Sequence, residues 1–392
     1  MLGYGVAFVV AALVTFALTP AVWRMSVRIG AVVVPDERRI HLRPTPTLGG
    51  VAMLLALFAA LGVAWFLPQF RPVFESSSEP LGVVLAAAVI FAVGLLDDLR
   101  EVSAPAKVAG QVLAASVLGL AGVTMFYFRV PFADFFVLSP DLGFLMTVIW
   151  VVAMANAVNL IDGLDGLAAG VVAIAAGAIF LYSYRLSDVG LLSPDNMAPL
   201  LIAITCGLCV GFLPHNFHPA KVFMGDSGAL LLGLLLAATT ISVGGRTADQ
   251  FSGQTFFFFA PLVIPFVILG VPFVDTALAI VRRARRRTAL SQADKEHLHH
   301  RLMRQGHGPR RSVFILWAWT AILSGVVLMP TYTNQGNAVV PFAVTGLAVV
   351  LYTLLHPGVR QTAHEVEEEE DELLVWPKPE PVPPARSARP RP

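Results

Sequence analysis

The sequence predicts an all-α, polytopic integral membrane protein of about eleven transmembrane helices, with the amino terminus outside and the polar loops on the cytoplasmic side. Three observations carry this reading. Of 392 residues, 56% are hydrophobic and only 14% charged. The apolar residues gather in blocks long enough to cross a hydrocarbon core about 30 Å thick, near residues 3–22, 48–67, 81–96, 108–126, 143–158, 166–184, 198–213, 228–243, 255–281, 313–330 and 338–355. Lysine and arginine also sort by face. With the amino terminus outside, 23 of the 27 fall on inside segments and only Arg71, Arg129, Arg185 and Arg246 fall outside, as the positive-inside rule expects. A net charge of +1 gives no reason to expect a nucleic-acid partner; the partner is the membrane.

The first block, from Leu2 to about Val22, has no basic residue before it and is long enough to span. It reads as an anchor rather than a signal peptide. The first inside loop then runs Arg38-Arg-Ile-His-Leu-Arg-Pro-Thr-Pro-Thr-Leu-Gly-Gly50. Topogenic charge accounts for its arginines, but the prolines would hold Arg43 at a fixed point on the membrane face, where anionic phosphate could be met.

The third span closes on Gly94-Leu-Leu-Asp-Asp-Leu-Arg100. Adjacent carboxylates at a membrane boundary are costly unless they hold a metal, a proton or a cation. Asp97 and Asp98 are therefore candidates for metal or proton chemistry, with solvated helix-end charges beside Arg100 as the plain alternative. Lys107, nine residues after Asp98, is placed to meet an anion. The stretch Asn156-Ala-Val-Asn-Leu-Ile-Asp-Gly-Leu-Asp-Gly166 sets Asn156, Asn159, Asp162 and Asp165 at spacings of three between two apolar runs. Two amides and two carboxylates on one turn-rich segment are expected to converge on one small site, with Asx-type capping explaining one or two of them. Cys206 and Cys209 lie inside an apolar span with no charged neighbour, and read as packing residues rather than a redox or metal pair.

Before the eighth span comes Lys221-Val-Phe-Met-Gly-Asp-Ser-Gly228. Capping by Asp226 and Ser227 is the ordinary reading of such a helix start. A third inside-facing acid is also what a Mg²⁺-phosphate centre needs, because Mg²⁺ takes oxygen ligands and shares them with substrate phosphates. The longest inside loop carries Arg282-Arg-Ala-Arg-Arg-Arg287 and then Asp294-Lys-Glu-His-Leu-His-His-Arg301. No cysteine or matching ligand motif supports zinc there, and the histidines suit hydrogen bonds to a diphosphate or sugar, with arginines as counter-charge. From residue 360 an acidic run and a Pro-rich stretch read as a disordered cytoplasmic tail, dispensable for chemistry.

Taken together, Pro44-Thr-Pro-Thr-Leu-Gly-Gly50, Asp97-Asp98, Asn156 to Gly166, Phe223-Met-Gly-Asp-Ser-Gly228 and His297-Leu-His-His-Arg-Leu302 resemble, in order, the motifs of the polyprenyl-phosphate N-acetylhexosamine-1-phosphate transferases. The His-Leu-His-His-Arg-Leu motif resembles the branch that uses UDP-N-acetylglucosamine (the WecA/TagO type). The phospho-MurNAc-pentapeptide branch has three consecutive histidines there, a run that Leu298 interrupts.

The resemblance implies residues 1–359 as the transferase domain and a multi-pass plasma-membrane enzyme whose catalytic loops face the cytoplasm. It would transfer GlcNAc-1-phosphate from UDP-GlcNAc to undecaprenyl or decaprenyl phosphate, with Mg²⁺, or Mn²⁺ in its place. It implies Asp97 as the base that keeps the lipid phosphate deprotonated, with Asp98 near the metal, Asp162 in the catalytic set, and Asp226 and Asn159 at the metal. Lys107 and Arg43 would hold phosphate oxygens, Asp165 would read the uracil edge, and Asn156, Arg282, Arg283 and Arg301 would bind substrate. His297 would bind the donor, with His299 and His300 in the catalytic set around the diphosphate and sugar. A secondary transporter is the competing class, but the carboxylates sit at span ends rather than mid-membrane and no internal repeat is visible. A monomer and a homodimer both suit this reading.

Overall fold

Small residues decide where the helices meet. The computed structural model describes residues 1–33, 44–100, 102–129, 135–244, 270, 274, 302–303, 305–333 and 335–355. Helix α1 (Leu2–Ile29) buries Gly3, Ala7, Ala11, Thr15, Thr19 and Ser26 along one stripe. Against it lies α8 (Ala198–Asn216), where a Cβ on Gly207 or Gly211 would fall 2.4 and 2.2 Å from the Phe8 and Ala12 carbonyl oxygens. Helices in lipid associate through such close approach, because there is no difference in apolarity between partner and solvent to drive them together. Pro20 stands inside α1 and cannot donate to the carbonyl of Phe16 one turn earlier. His215 of α8 meets that carbonyl through Nε2 at 3.0 Å.

The remaining long helices are α2 (Gly49–Trp65), α4 (Glu79–Leu99), α5 (Ala104–Leu120), α6 (Pro140–Ile161), α7 (Leu167–Asp188), α9 (Gly225–Gly244), α10 (Gly308–Thr333) and α11 (Val340–Leu355), with a short α3 (Arg71–Glu75) before α4. Ten of the eleven expected spans are thus helices, while the expected span at 255–281 lies outside the described residues except for 270 and 274. By length and apolarity eight of these helices could cross a membrane, α11 counting together with the 3-10 turn Gly336–Val339 before it, or nine if α2 is counted with the Pro68–Glu75 segment bent 95° from it; α5 is shorter. In that bent segment Phe70 and Val73 turn inward and are buried.

The centre of the bundle is α9, whose Leu230, Leu231, Leu232, Leu234, Leu235 and Leu236 are all fully buried. A helix apolar on every side belongs inside, and α2, α4, α6 and α8 surround it. Its crossing with α6 depends on Gly233, where a Cβ would stand 2.4 Å from the Ala155 Cα. Gly233→Val is therefore expected to destabilise the protein by about 1–3 kcal/mol, read as a lower melting temperature in detergent. Gly177→Ala, with nothing within 4 Å of its Cβ, is the control expected to melt like the parent; equal melting of the two variants would show that the α6–α9 crossing tolerates bulk.

At one end of the bundle α1, α4, α6 and α8 finish and α2, α5, α7, α9 and α10 begin. The motif residues within the described chain all lie at this end. Two backbone links close it: Val32–Val33 pairs antiparallel with Thr45–Pro46, and Pro46, Phe223 and Met224 carbonyls accept from Phe223, Gly49 and Gly50 amides at 2.9 Å each. A second short hairpin, Tyr127–Arg129 with Phe135–Val137, joins α5 to α6 at the other end.

Candidate functional site

Asp97 and Asp98 are neighbours in sequence and do different things, because successive residues on a helix point about 100° apart. Asp98 turns toward the start of α9. Its Oδ1 accepts from the Asp226 amide at 2.7 Å, and its Oδ2 accepts from the Ser227 amide at 3.1 Å and the Ser227 hydroxyl at 2.7 Å. The amides at a helix start have no partner within the helix, and here a carboxylate from another helix supplies one. Gly225 makes that approach possible: it sits at φ +71°, and a Cβ there would be 2.5–2.6 Å from both Asp98 oxygens.

With capping assigned to Asp98, the Asp226 side chain is left for other partners. Its Oδ1 accepts from Asn159 Nδ2 at 2.8 Å and its Oδ2 from the Lys107 ammonium. Lys107 bridges to Asp97 Oδ2 at 2.9 Å, and Asp97 Oδ1 accepts from the Val102 amide at 2.9 Å. One cation from α5 thus stands between carboxylates of α4 and α9, with all three side chains mostly buried.

The turn between α6 and α7 supplies the other acids. Asp162 follows the last residue of α6, its amide donating to the Asn159 carbonyl at 3.3 Å, and its side chain makes no hydrogen bond among the described residues. Burial, and then the negative charges of Asp226, Asp98 and Asp165, push its carboxyl up to about 8. Asp165 is held from behind: its Oδ2 accepts from the Ala220 amide at 3.0 Å and meets His218 Nδ1 at 2.8 Å. Beside it the buried Asn216 accepts from the Gly166 amide and donates to the Val222 carbonyl, both at 3.0 Å.

Asp97, Asp98, Asn159, Asp162, Asp165 and Asp226 line one cavity of about 400 Å³, with Thr47, Asn216 and Phe223 among its other walls. Five carboxylates and one amide are a hard, oxygen-rich donor set. Such a set could hold Mg²⁺, which keeps several waters and takes one or two carboxylates together with substrate phosphates; among the described residues no three His, Cys, Asp or Glu groups are gathered as a metal cage.

Most residues expected at the site from the central motifs are brought together here. Asn156 is not among the residues that line the cavity: half-buried on α6 one turn before Asn159, its Nδ2 donates to Gln111 Oε1 at 2.7 Å and to the Val152 carbonyl at 2.8 Å. Arg43, Arg282, Arg283, His297, His299, His300 and Arg301 lie outside the described residues, as do residues 356–392. Asn216 and His218 were not singled out by the sequence; their only signal is a polar Asn-Phe-His-Pro cluster at the end of the seventh expected span.

Residues 80–244 match the sequence profile of glycosyl transferase family 4. A decaprenyl-phosphate N-acetylglucosaminephosphotransferase of Mycolicibacterium smegmatis is 38% identical over 355 residues, covering 88% of this chain and 86% of the relative. The protein of that name from Mycobacterium tuberculosis (strain ATCC 25618 / H37Rv) is 41% identical over 324 residues, covering 80% and 79%. A phospho-N-acetylmuramoyl-pentapeptide-transferase of M. smegmatis is 31% identical over 366 residues, covering 84% and 97%. With identity of this extent spanning the helices that build the acidic cavity, the chain belongs to glycosyl transferase family 4.

Proposed function

We propose that the protein transfers GlcNAc-1-phosphate from UDP-GlcNAc to a polyprenyl phosphate, giving polyprenyl-diphospho-GlcNAc and UMP, at a Mg²⁺-dependent site facing the cytoplasm. The observation that carries this is the acidic cavity at the span ends, two of whose lining carboxylates, Asp97 and Asp226, share the Lys107 ammonium between them. Relatives named for GlcNAc-phosphate transfer to decaprenyl phosphate supply the substrate class, and the concentration of Lys and Arg on one face supports the cytoplasmic orientation.

In the reaction an oxygen of the lipid phosphate attacks the phosphorus that bears the sugar, and the bond from that phosphorus to the UMP oxygen breaks. Phosphoryl transfer asks chiefly for positioning and charge neutralisation. Asp226 and Asn159 would hold Mg²⁺, which neutralises diphosphate charge when bound. Asp98 fixes Asp226 by holding the first amides of α9. Asp97 keeps the acceptor phosphate ionised, and Lys107 moves from its carboxylate partners to a phosphate oxygen. An acceptor whose phosphate lies at the bilayer surface needs a site at the helix ends, and this cavity is at the helix ends.

The test is a transfer assay with purified protein, radiolabelled donor and decaprenyl phosphate. UMP and a labelled lipid are expected from UDP-GlcNAc with Mg²⁺ or Mn²⁺, and no product in excess chelator. Full turnover in chelator would remove the metal from the proposal. Transfer from UDP-MurNAc-pentapeptide, with UDP-GlcNAc refused, would move the protein to the other branch.

A further inference from the structure

The segment from Asn216 to Val222 reaches the cavity wall at Asn216 and is fastened to the acidic turn at two points. Asn216 clasps Gly166 and Val222; Asp165 clasps His218 and Ala220. The fastening is uneven at the carboxylate. Both contacts fall on Asp165 Oδ2, and Oδ1 has no hydrogen bond among the described residues, although the side chain is only 13% exposed and lines the cavity. A cavity-lining carboxylate gripped through one oxygen keeps the acceptor capacity of the other for a ligand N–H. His218 itself is steadied from a third side, since Arg310 of α10 donates to its backbone carbonyl at 3.3 Å. The amide of Ala220 alone would leave the carboxylate free to swing about that one bond; the imidazole Nδ1, 2.8 Å away, removes the swing.

We infer that His218 is a positioning residue for nucleotide recognition, fixing Asp165 so that its Oδ1 accepts the imide N–H of the donor's uracil. This rests on the proposed use of a uridine nucleotide. His218 then acts on binding of the base and leaves the phosphoryl-transfer step to Asp97, Lys107 and Asp226. Its effect is confined to ligands that carry the base.

The experiment measures donor KM, kcat and inhibition constants for UMP and GlcNAc-1-phosphate in the full-length protein, comparing the parent with His218→Ala, His218→Asn and His218→Gln. Loss of one hydrogen bond to a charged group is expected to raise the donor KM and the UMP inhibition constant of His218→Ala by about tenfold or more. Its kcat should stay within about threefold, and the GlcNAc-1-phosphate constant should not move. Asparagine, whose Nδ2 reaches the place of the imidazole Nδ1, should restore both values, and glutamine should not. Unchanged UMP inhibition in His218→Ala, or a fall in kcat at constant KM, would overturn the inference. Should the alanine variant fail to fold, equal behaviour of the asparagine and glutamine variants would overturn it as well. Absence of transfer from UDP-GlcNAc by the parent protein would instead defeat the functional reading, so the two failures are distinguishable.

Discussion

Asp226→Ala is expected to lower turnover by about two to three orders of magnitude while the protein inserts and melts as the parent does. The side chain accepts from both Lys107 and Asn159, so its removal takes away the negative centre around which that ammonium and that amide are arranged. Its backbone amide remains, and Asp98 still accepts from it, so α9 should start in the same place. Asp226→Asn keeps the shape and loses the charge, and is expected to be nearly as inactive. Turnover in a steady-state transfer assay, paired with a melting curve, separates loss of chemistry from loss of fold. Near-parental rates in Asp226→Ala would overturn the assignment of this carboxylate to the metal and phosphate centre.

Asp98→Ala should fail in a different way. Here the lost carboxylate serves two backbone amides and a hydroxyl, and each buried donor left without an acceptor costs about 1–3 kcal/mol. Both activity and melting temperature are therefore expected to fall, because the start of α9 is freed and Asp226 moves with it. Asp97→Ala, by contrast, removes a partner of Lys107 and of the Val102 amide, and should affect turnover more than melting. If Asp98→Ala melted like the parent and Asp97→Ala did not, the division of labour between the two carboxylates would be reversed.

Composition and the apolar block pattern were enough for the architecture, because a chain in lipid has to satisfy its backbone within helices, and apolar length is then a direct measure of a span. Ten helices stand where the blocks predict them. The placement of polar motifs at span ends was equally legible, since apolar runs leave nowhere else for Asp97, Asp98, Asp162, Asp165 and Asp226 to sit. Legibility stopped at the partners of those groups. Lys107 meets Asp226 across 119 residues of chain, and Asp98 reaches the Asp226 amide across 128; local periodicity has no access to such pairings.

Three assignments were made only by the tertiary structure. The capping expected of Asp226 and Ser227 falls to Asp98, because α4 and α9 approach closely enough at Gly225 for a carboxylate to reach the helix start. Asn156 leaves the site, because its amide is turned toward Gln111. His218 enters the site, because Asn216 ties its loop to the turn that carries Asp165. Sequence by itself determined which residues must lie at the membrane face, through the cost of burying charge and bare backbone in lipid. Only the crossing of helices far apart in the chain decided which of those residues touch, since close approach at glycine and alanine positions is a property of two surfaces together.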